Sequence, residues 1–281
     1  MATNSLSLAD CLDEALELRP FPAAASQLIT ACDREDATAR QLSEIIKHDP
    51  ALSLKLLQIA NSPIYGFAGE IRSVDHATVV LGMRALRDLA ISTAVSDAFA
   101  SGDSESASAR RQLWVHSLSC GAIARTLSST LSMAAPDEAF LAGIVHDVGK
   151  LFFFDREPRQ YMQATSNGPH INIVDIETNT FGIAHTSVGQ RCGQNWGLPD
   201  EINDVICFHH APDEADFGGD LIDVVSAANR LSHLWLATID DTTATTQILQ
   251  SSGIELTTDE IDLLQQNAME EVEKICEAYA Q

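Results

Sequence analysis

Apolar residues recur three and four positions apart along nearly the whole chain, and strict alternation is almost absent, so the pattern predicts an all-α protein. Leu42, Ile45 and Ile46 share a helical face that Asp49-Pro50 ends, because a residue before proline avoids the αR region. Leu52, Leu56, Leu57 and Ala60 begin the next helix, which Asp49 is placed to cap and which stops at Asn61-Ser62-Pro63. Val79, Val80 and Leu81, then Leu86 to Val95, supply two more apolar faces on either side of Gly82. The small-residue stretch 102–109 reads as the internal linker. Beyond it the periodicity predicts helices over about 112–131, from Pro136 through Phe140 and Ile144 to Val148, and over about 183–196, 200–208 and 221–236. Thr257-x-x-Glu260 is a capping box, and Ile261, Leu264, Ala268, Val272 and Ile275 trace a stripe after it. From Ser251 onward there are eight acidic residues and one lysine, so a packed amphipathic helix with a solvated acidic face is expected.

Composition narrows the possible partners. The 281 residues are 45% hydrophobic and 20% charged, enough to bury a core without disulfides or structural staples. Forty acidic side chains against 17 basic ones leave a net charge of −23. Such a surface repels phosphate backbones and anionic lipid, so neither nucleic acid nor membrane is an expected partner. No apolar run approaches the length of a membrane span, and the first eight residues do not resemble a signal peptide. Cys11, Cys32, Cys120, Cys192, Cys207 and Cys276 form no CxxC pair. Buried thiols in a reducing cytoplasm are therefore expected.

The nine histidines carry the chemistry. His48, His76, His170 and His233 fall at helix ends or on polar flanks and read as surface residues. His116, the His146-Asp147 doublet, His185 and the His209-His210 doublet fall inside or at the edge of apolar helical stretches. An unpartnered imidazole there costs desolvation. One such residue is an ordinary core histidine; four such positions on successive helices suggest side chains converging on a metal, as helix bundles build their sites. A carboxylate beside one histidine can bridge two ions. Around the doublet, Ala142 and Gly143 allow close helix approach, Gly149 frees the backbone after Asp147, and Lys150 reads either as a dipole-complementing helix C-terminus or as a phosphate-orienting cation.

His116 followed thirty residues later by His146-Asp147, inside His146-Asp147-Val148-Gly149-Lys150, resembles the HD phosphohydrolase arrangement. The resemblance implies that His116, His146, Asp147 and a residue on a late helix bind a divalent metal. His185 and His209-His210 are similar to the additional ligands of the two-metal cyclic-dinucleotide phosphodiesterases. Upstream, Pro20-Phe21-Pro22, Ile45-Ile46-Lys47-His48-Asp49-Pro50-Ala51-Leu52-Ser53 and Lys55-Leu56-Leu57-Gln58-Ile59-Ala60-Asn61-Ser62 resemble the HDOD family. Tyr65-Gly66, Ile71-x-Ser73, Leu81-Gly82, Trp114-x-His116-Ser117 and Ala139-Phe140-x-Ala142-Gly143 continue the match. It spans residues 16–212, and implies an N-terminal helical lobe over about 6–100, an HD-like core over about 112–236, and an acidic helical extension over 237–281. The N-terminal motif itself reads as turn and cap chemistry, with no nucleophile-base pair in it.

Three departures separate the chain from the hydrolytic relatives. The late string is Ala227-Ala228-Asn229-Arg230-Leu231, with a neutral amide where the enzymes have an aspartate. Gln112 stands one turn before His116 where a third metal requires a carboxylate. Ala211-Pro212-Asp213-Glu214 follows His209-His210 without the glycine-tyrosine-proline signature. Asp147 is then the one anion assignable to the site. His116, His146, Asp147, His185, His209, His210 and Asn229 are expected to form one buried centre able to hold iron, manganese or zinc. The resemblance implies a regulatory signalling module acting through contacts with a separate protein partner, since little length remains for a fused receiver, kinase or cyclase. The second reading is a metal-dependent phosphohydrolase or phosphodiesterase, with Asp147 and Lys150 in the reaction. The third is a scaffold with an empty pocket.

Overall fold

The computed structural model describes residues 23–279, apart from 33, 35, 63–64, 66, 68, 101–103, 166–172, 218 and 238–240. Of the described residues, 80% are helical and none lies in a strand. Pro20-Phe21-Pro22, Pro63, Gly66, Cys11 and His170 fall outside them.

Among the described residues four helices build the N-terminal part: α1 (Ala23–Cys32), α2 (Ala39–Lys47), α3 (Pro50–Ala60) and the long α4 (Val74–Ala100). Each boundary follows from local chemistry. Thr38 and Gln41 form a reciprocal capping box at α2. Asp49 Oδ1 accepts the Leu52 amide at 3.0 Å, with Pro50 at the first helical position of α3. Asn61 closes α3 and also clasps Ile71, accepting its N–H at 2.7 Å and donating to its carbonyl at 2.8 Å. The two apolar faces around Gly82 are two helical segments of α4 that meet at a kink of φ 81°, ψ 168°, backbone that glycine alone adopts easily.

Two cores result. Leu28, Leu42, Ile46, Leu56, Ile59, Leu86 and Leu89 pack into one. One step further along, Ile29, Ile91, Val95 and Phe99 enter the larger one, so α1 and α4 belong to both. The larger core is built on α5 (Ala107–Leu131) and α6 (Pro136–Val145). Around them lie α7 (Lys150–Arg156), α8 (Pro158–Thr165), α9 (Ile173–Phe181), α10 (His185–Trp196), α11 (Asp200–Phe208) and α12 (Gly219–Leu236). Two more helices follow, α13 (Thr242–Ser251) and α14 (Thr258–Tyr279). The Thr257–Glu260 capping box is present, and every residue of the stripe after it is buried. Arg125 on α5 ties α14 and α6 together through Glu271 and Asp137.

Several boundaries differ from the sequence expectation. α5 starts at Ala107 rather than near Gln112, because Arg110 is drawn inward by Ser106 and Asp155, which takes residues 107–109 out of the linker. α6 stops at Val145, so Asp147 lies in a turn rather than in a helix. Lys150 opens α7 and is not a helix C-terminus. α7, α8, α9 and α13 carry too few periodic apolar residues to stand out from sequence. No described helix is long and apolar enough to cross a membrane.

Glycines set the spacing around the doublet. A Cβ on Gly143 would come within 2.6 Å of the Gly121 Cα, so α5 and α6 touch backbone to backbone. A Cβ on Gly149 would sit 1.9 Å from the His185 carbonyl oxygen. Gly149 therefore serves a close approach to α10, and its φ of −62° needs no glycine. Replacing Gly149 by alanine is expected to lower unfolding stability by about 3 kcal/mol or more, at or beyond the upper end for overpacking. Gly182→Ala, at φ 79° in open space, should cost only about 1–2 kcal/mol in the same urea titration.

Asp88 on α4 is buried, with Arg87 on its Oδ1 and no hydrogen-bond partner for Oδ2 among the described residues. Burial raises its pKa to about 6, against the opposing charge of Arg87 and with help from Asp137 and Glu138 on α6. A raised carboxyl pKa favours the folded state below the ordinary value of 3.8, and that advantage is lost as pH rises through about 6. Relative to wild type, Asp88→Asn should therefore gain about 3 kcal/mol between pH 4 and pH 8, for a gap of about two pH units. Paired denaturant melts across that range measure it; a flat difference contradicts the assignment.

Candidate metal centre

α5, α6, the turn after α6, α10 and α11 bring six of the seven predicted ligands together. His116 projects from the middle of α5. His146 caps the C-terminus of α6 and Asp147 follows in the turn. His185 is the first residue of α10, His209 caps the C-terminus of α11, and Asn229 lies on α12. The functional groups thus cluster at helix ends, where the chain is free to turn, and two helix C-termini point partial negative charge at the centre.

Asp147 is fully buried and stands at the middle. Its Oδ2 lies 3.5 Å from His116 Nε2 and 3.3 Å from His146 Nε2. Its Oδ1 lies 3.3 Å from His185 Nε2 and 3.6 Å from His209 Nε2. His116, His146 and Asp147 form one candidate ligand cluster; Asp147, His185, His209 and the more exposed His210 form a second, with Asp147 common to both. Asn229 is buried one turn before Ser232, and its Oδ1 has no partner among the described residues.

The hydrogen bonds decide which ring nitrogen each histidine presents. His146 Nδ1 is 2.7 Å from the Gly143 carbonyl, and His209 Nδ1 faces the Val205 and Ile206 carbonyls at 3.1 and 3.2 Å. These are last-turn carbonyls of the helices that the two histidines themselves cap. His185 Nδ1 donates to Glu177 Oε2 at 2.6 Å. Ser232 gives its hydroxyl proton to the Asn229 carbonyl, so its oxygen accepts from His116 Nδ1 at 3.1 Å. Each neutral ring therefore carries its proton on Nδ1 and turns an Nε2 lone pair toward the carboxylate. Lone pairs of neutral rings facing a carboxylate at 3.3–3.6 Å repel it unless a proton or a metal cation lies between them.

Among the described residues His116 Nε2, His146 Nε2 and Asp147 Oδ1 are buried without a hydrogen-bond partner, the pattern that metal ligand atoms show in the absence of the ion. The second cluster also has a suitable size. His185 Nε2, His209 Nε2 and Asp147 Oδ1 form a triangle with edges of 3.3, 3.4 and 3.6 Å. A tetrahedral ion with ligands at about 2.0–2.2 Å separates them by about 3.3–3.6 Å. The residues present fit a borderline divalent metal.

Positive charge is already drawn to the centre. Lys150 Nζ donates to Asp147 Oδ2 at 2.5 Å, so it partners the carboxylate directly rather than reaching outward. Burial opposes ionisation of Asp147, but His146 and Lys150 hold its carboxyl well below the usual range. Burial likewise opposes a charged His146, and Asp147 overrides it to drive the ring up to about 10. Burial takes His209 down to about 4, and pushes His116 well below its ordinary value with help from His233.

Sequence reasoning missed four contributors. Glu177 is a second buried carboxylate, bonded to His185, so Asp147 is not the one anion near the site. Its sequence signal was slight: it shares the buried face of α9 with Ile173 four residues earlier. Tyr161 bonds Glu177, and Ser232 orients His116. His233 is exposed as expected, yet its ring stacks on His116 at 4.2 Å.

A helical core with a histidine on one helix, a His-Asp doublet closing the next and further histidines converging on the same aspartate defines an HD-type protein. The HDOD domain model matches residues 18–212, and the chain belongs to the HDOD family. A candidate phosphohydrolase of Shewanella amazonensis SB2B is 25% identical with a TM-score of 0.72, over 94% of this chain and 98% of that one. An HDOD domain protein of unknown function from Geobacter sulfurreducens is 22% identical with a TM-score of 0.74, over 97% and 99% of the two chains. A candidate signal transduction protein of Marinobacter aquaeolei VT8 shares the fold at 22% identity and a TM-score of 0.67, over 94% and 61%. An uncharacterised protein of Treponema pallidum (strain Nichols) is 27% identical over 230 residues; the match takes in 79% of this chain and 43% of that longer relative.

Removing the Lys150 amine leaves a buried carboxylate without its cation. With divalent metal chelated, Lys150→Met is expected to lose about 3–5 kcal/mol of unfolding stability. Urea melts at neutral pH read the change, and an unaltered midpoint would refute the pairing.

Proposed function

We propose that this HDOD chain is a regulatory signalling module whose His-Asp centre holds a divalent ion as part of its fold, and that it acts through protein contacts rather than by hydrolysis. One observation carries the reading. Asp147 is the single carboxylate shared by both ligand clusters, and its Oδ2 already bonds Lys150. Two divalent ions there would have one partly neutralised anion between them. Hydrolytic centres use the ion to make bound water acidic near neutral pH, which requires the cation to be held firmly and at a controlled net charge. Asn229 supplies a neutral amide in place of a second anionic ligand.

The residues that would hold the ion are His185, His209 and Asp147, with His210 beside them; His116 and His146 face the other side of the carboxylate. When bound, the ion would supply fixed positive charge that joins α10 and α11 to the turn that carries Asp147. His233 and His210 lie at the solvent side of this centre, so a partner protein touching α11 or α12 would contact residues next to the ligands. The acidic surface favours a partner with a basic face.

Hydrolysis of phosphoesters is the second reading. The Shewanella amazonensis neighbour described as a candidate phosphohydrolase favours it. Metal analysis and a hydrolysis panel separate the two. Protein purified without added metal is expected to carry about one divalent ion per chain. Cyclic dinucleotides and nucleotide phosphates supplied with manganese or iron should show no turnover above the buffer rate. Asn229→Asp should raise the affinity for metal. Robust turnover by the unaltered protein, lost in His146→Ala, would replace the regulatory reading with the enzymatic one.

A further inference from the structure

Glu177 belongs to neither ligand cluster, and its environment is unusual. It is fully buried, and both carboxylate oxygens are engaged. Oε2 accepts the His185 backbone N–H at 2.8 Å and the His185 Nδ1–H at 2.6 Å, while Oε1 accepts the Tyr161 hydroxyl at 2.7 Å. Glu177 thus caps the start of α10, where Ala184 offers no side-chain cap, and sets the ring of the first residue of that helix.

The four centre histidines differ in what their Nδ1 atoms face. His146 and His209 use backbone carbonyls, and His116 uses a hydroxyl oxygen. His185 alone among them faces a carboxylate. A charged acceptor orients the ring more firmly than a neutral one and makes the far nitrogen a stronger donor. That far nitrogen, His185 Nε2, stands 3.3 Å from Asp147 Oδ1 and 3.4 Å from His209 Nε2. On the opposite side, Asp147 Oδ2 is already bonded to Lys150.

The geometry points to Glu177 as a positioning residue that gives the His185–His209–Asp147 Oδ1 side of the centre its affinity, so that a single divalent ion enters there and not between His116 and His146. The inference rests on the metal-holding reading above. Tyr161 extends the chain of contacts to α8, so occupancy of the centre is coupled to the packing of α8 and α9 against α10.

The test uses the full chain stripped with chelator and titrated with zinc, and with cobalt(II) for its visible bands. Glu177→Gln should weaken zinc binding by about 10–100-fold, the usual range for loss of such a supporting contact. It should also alter the cobalt spectrum, since the His185 donor changes. Tyr161→Phe should weaken binding less, and Glu177→Asp should restore part of the loss. His116→Ala should leave the cobalt spectrum nearly unchanged, whereas His185→Ala abolishes it. Unchanged zinc affinity and cobalt bands in Glu177→Gln overturn the inference while leaving the metal reading intact. Failure of the unaltered protein to bind either ion overturns both. If Glu177→Gln does not fold, histidine-selective 15N NMR of the unaltered protein decides. The His185 Nδ1 should stay protonated while Nε2 shifts on zinc addition, and zinc on Nδ1 or no His185 shift refutes the assignment.

Discussion

A carboxylate with no exposure to water lies among four imidazoles and a lysine, and the larger half of the molecule is arranged around it. Removing Asp147 from water is expensive, and the chain offsets that expense with Lys150 and with rings whose outer nitrogens are tied to acceptors. The same ties that satisfy each Nδ1 turn each Nε2 inward. The polar atoms left without a hydrogen-bond partner among the described residues are therefore consequences of how the rings are held, and Asp147 Oδ1 among them is the one that faces both His185 and His209.

Convergence of this kind requires helix ends and short interhelical distances. His146, His185 and His209 occupy helix boundaries, and of these four histidines His116 alone projects from mid-helix. Gly121 and Gly143 let α5 and α6 meet at the backbone, while Gly149 lets the turn after Asp147 press against α10 at His185. These glycines act through missing volume rather than through unusual dihedral angles. Gly82 is the contrasting case, a positive φ that breaks α4 where nothing crowds it.

The N-terminal helices and α14 frame this centre without contributing ligands. α4 carries residues into both cores, so a shift of its second half would be felt by α5 and α6, which hold His116 and the doublet. Arg125 links α14 to α6 through opposite carboxylates and faces Tyr65 and Phe140 with its guanidinium.

Much of this was legible in the chain itself. Helical periodicity, the Asp49-Pro50 junction, the Thr257–Glu260 box and the buried stripe of α14 are local signals, and local signals survive in sequence. The histidines stood out because imidazoles amid apolar residues need a reason to be there, and His116, His146, Asp147, His185, His209 and His210 do meet. Tertiary structure alone decided the rest. The end of α6 before Asp147, the return of Lys150 onto that carboxylate and the placement of Glu177 behind His185 each depend on groups brought together from different helices. Glu177 looked like any glutamate on a weakly patterned helix; eight residues from His185 in sequence, it becomes its hydrogen-bond acceptor only when α9 and α10 fold against each other. Periodicity records which face of a helix is buried, but not which buried polar atoms will share one point.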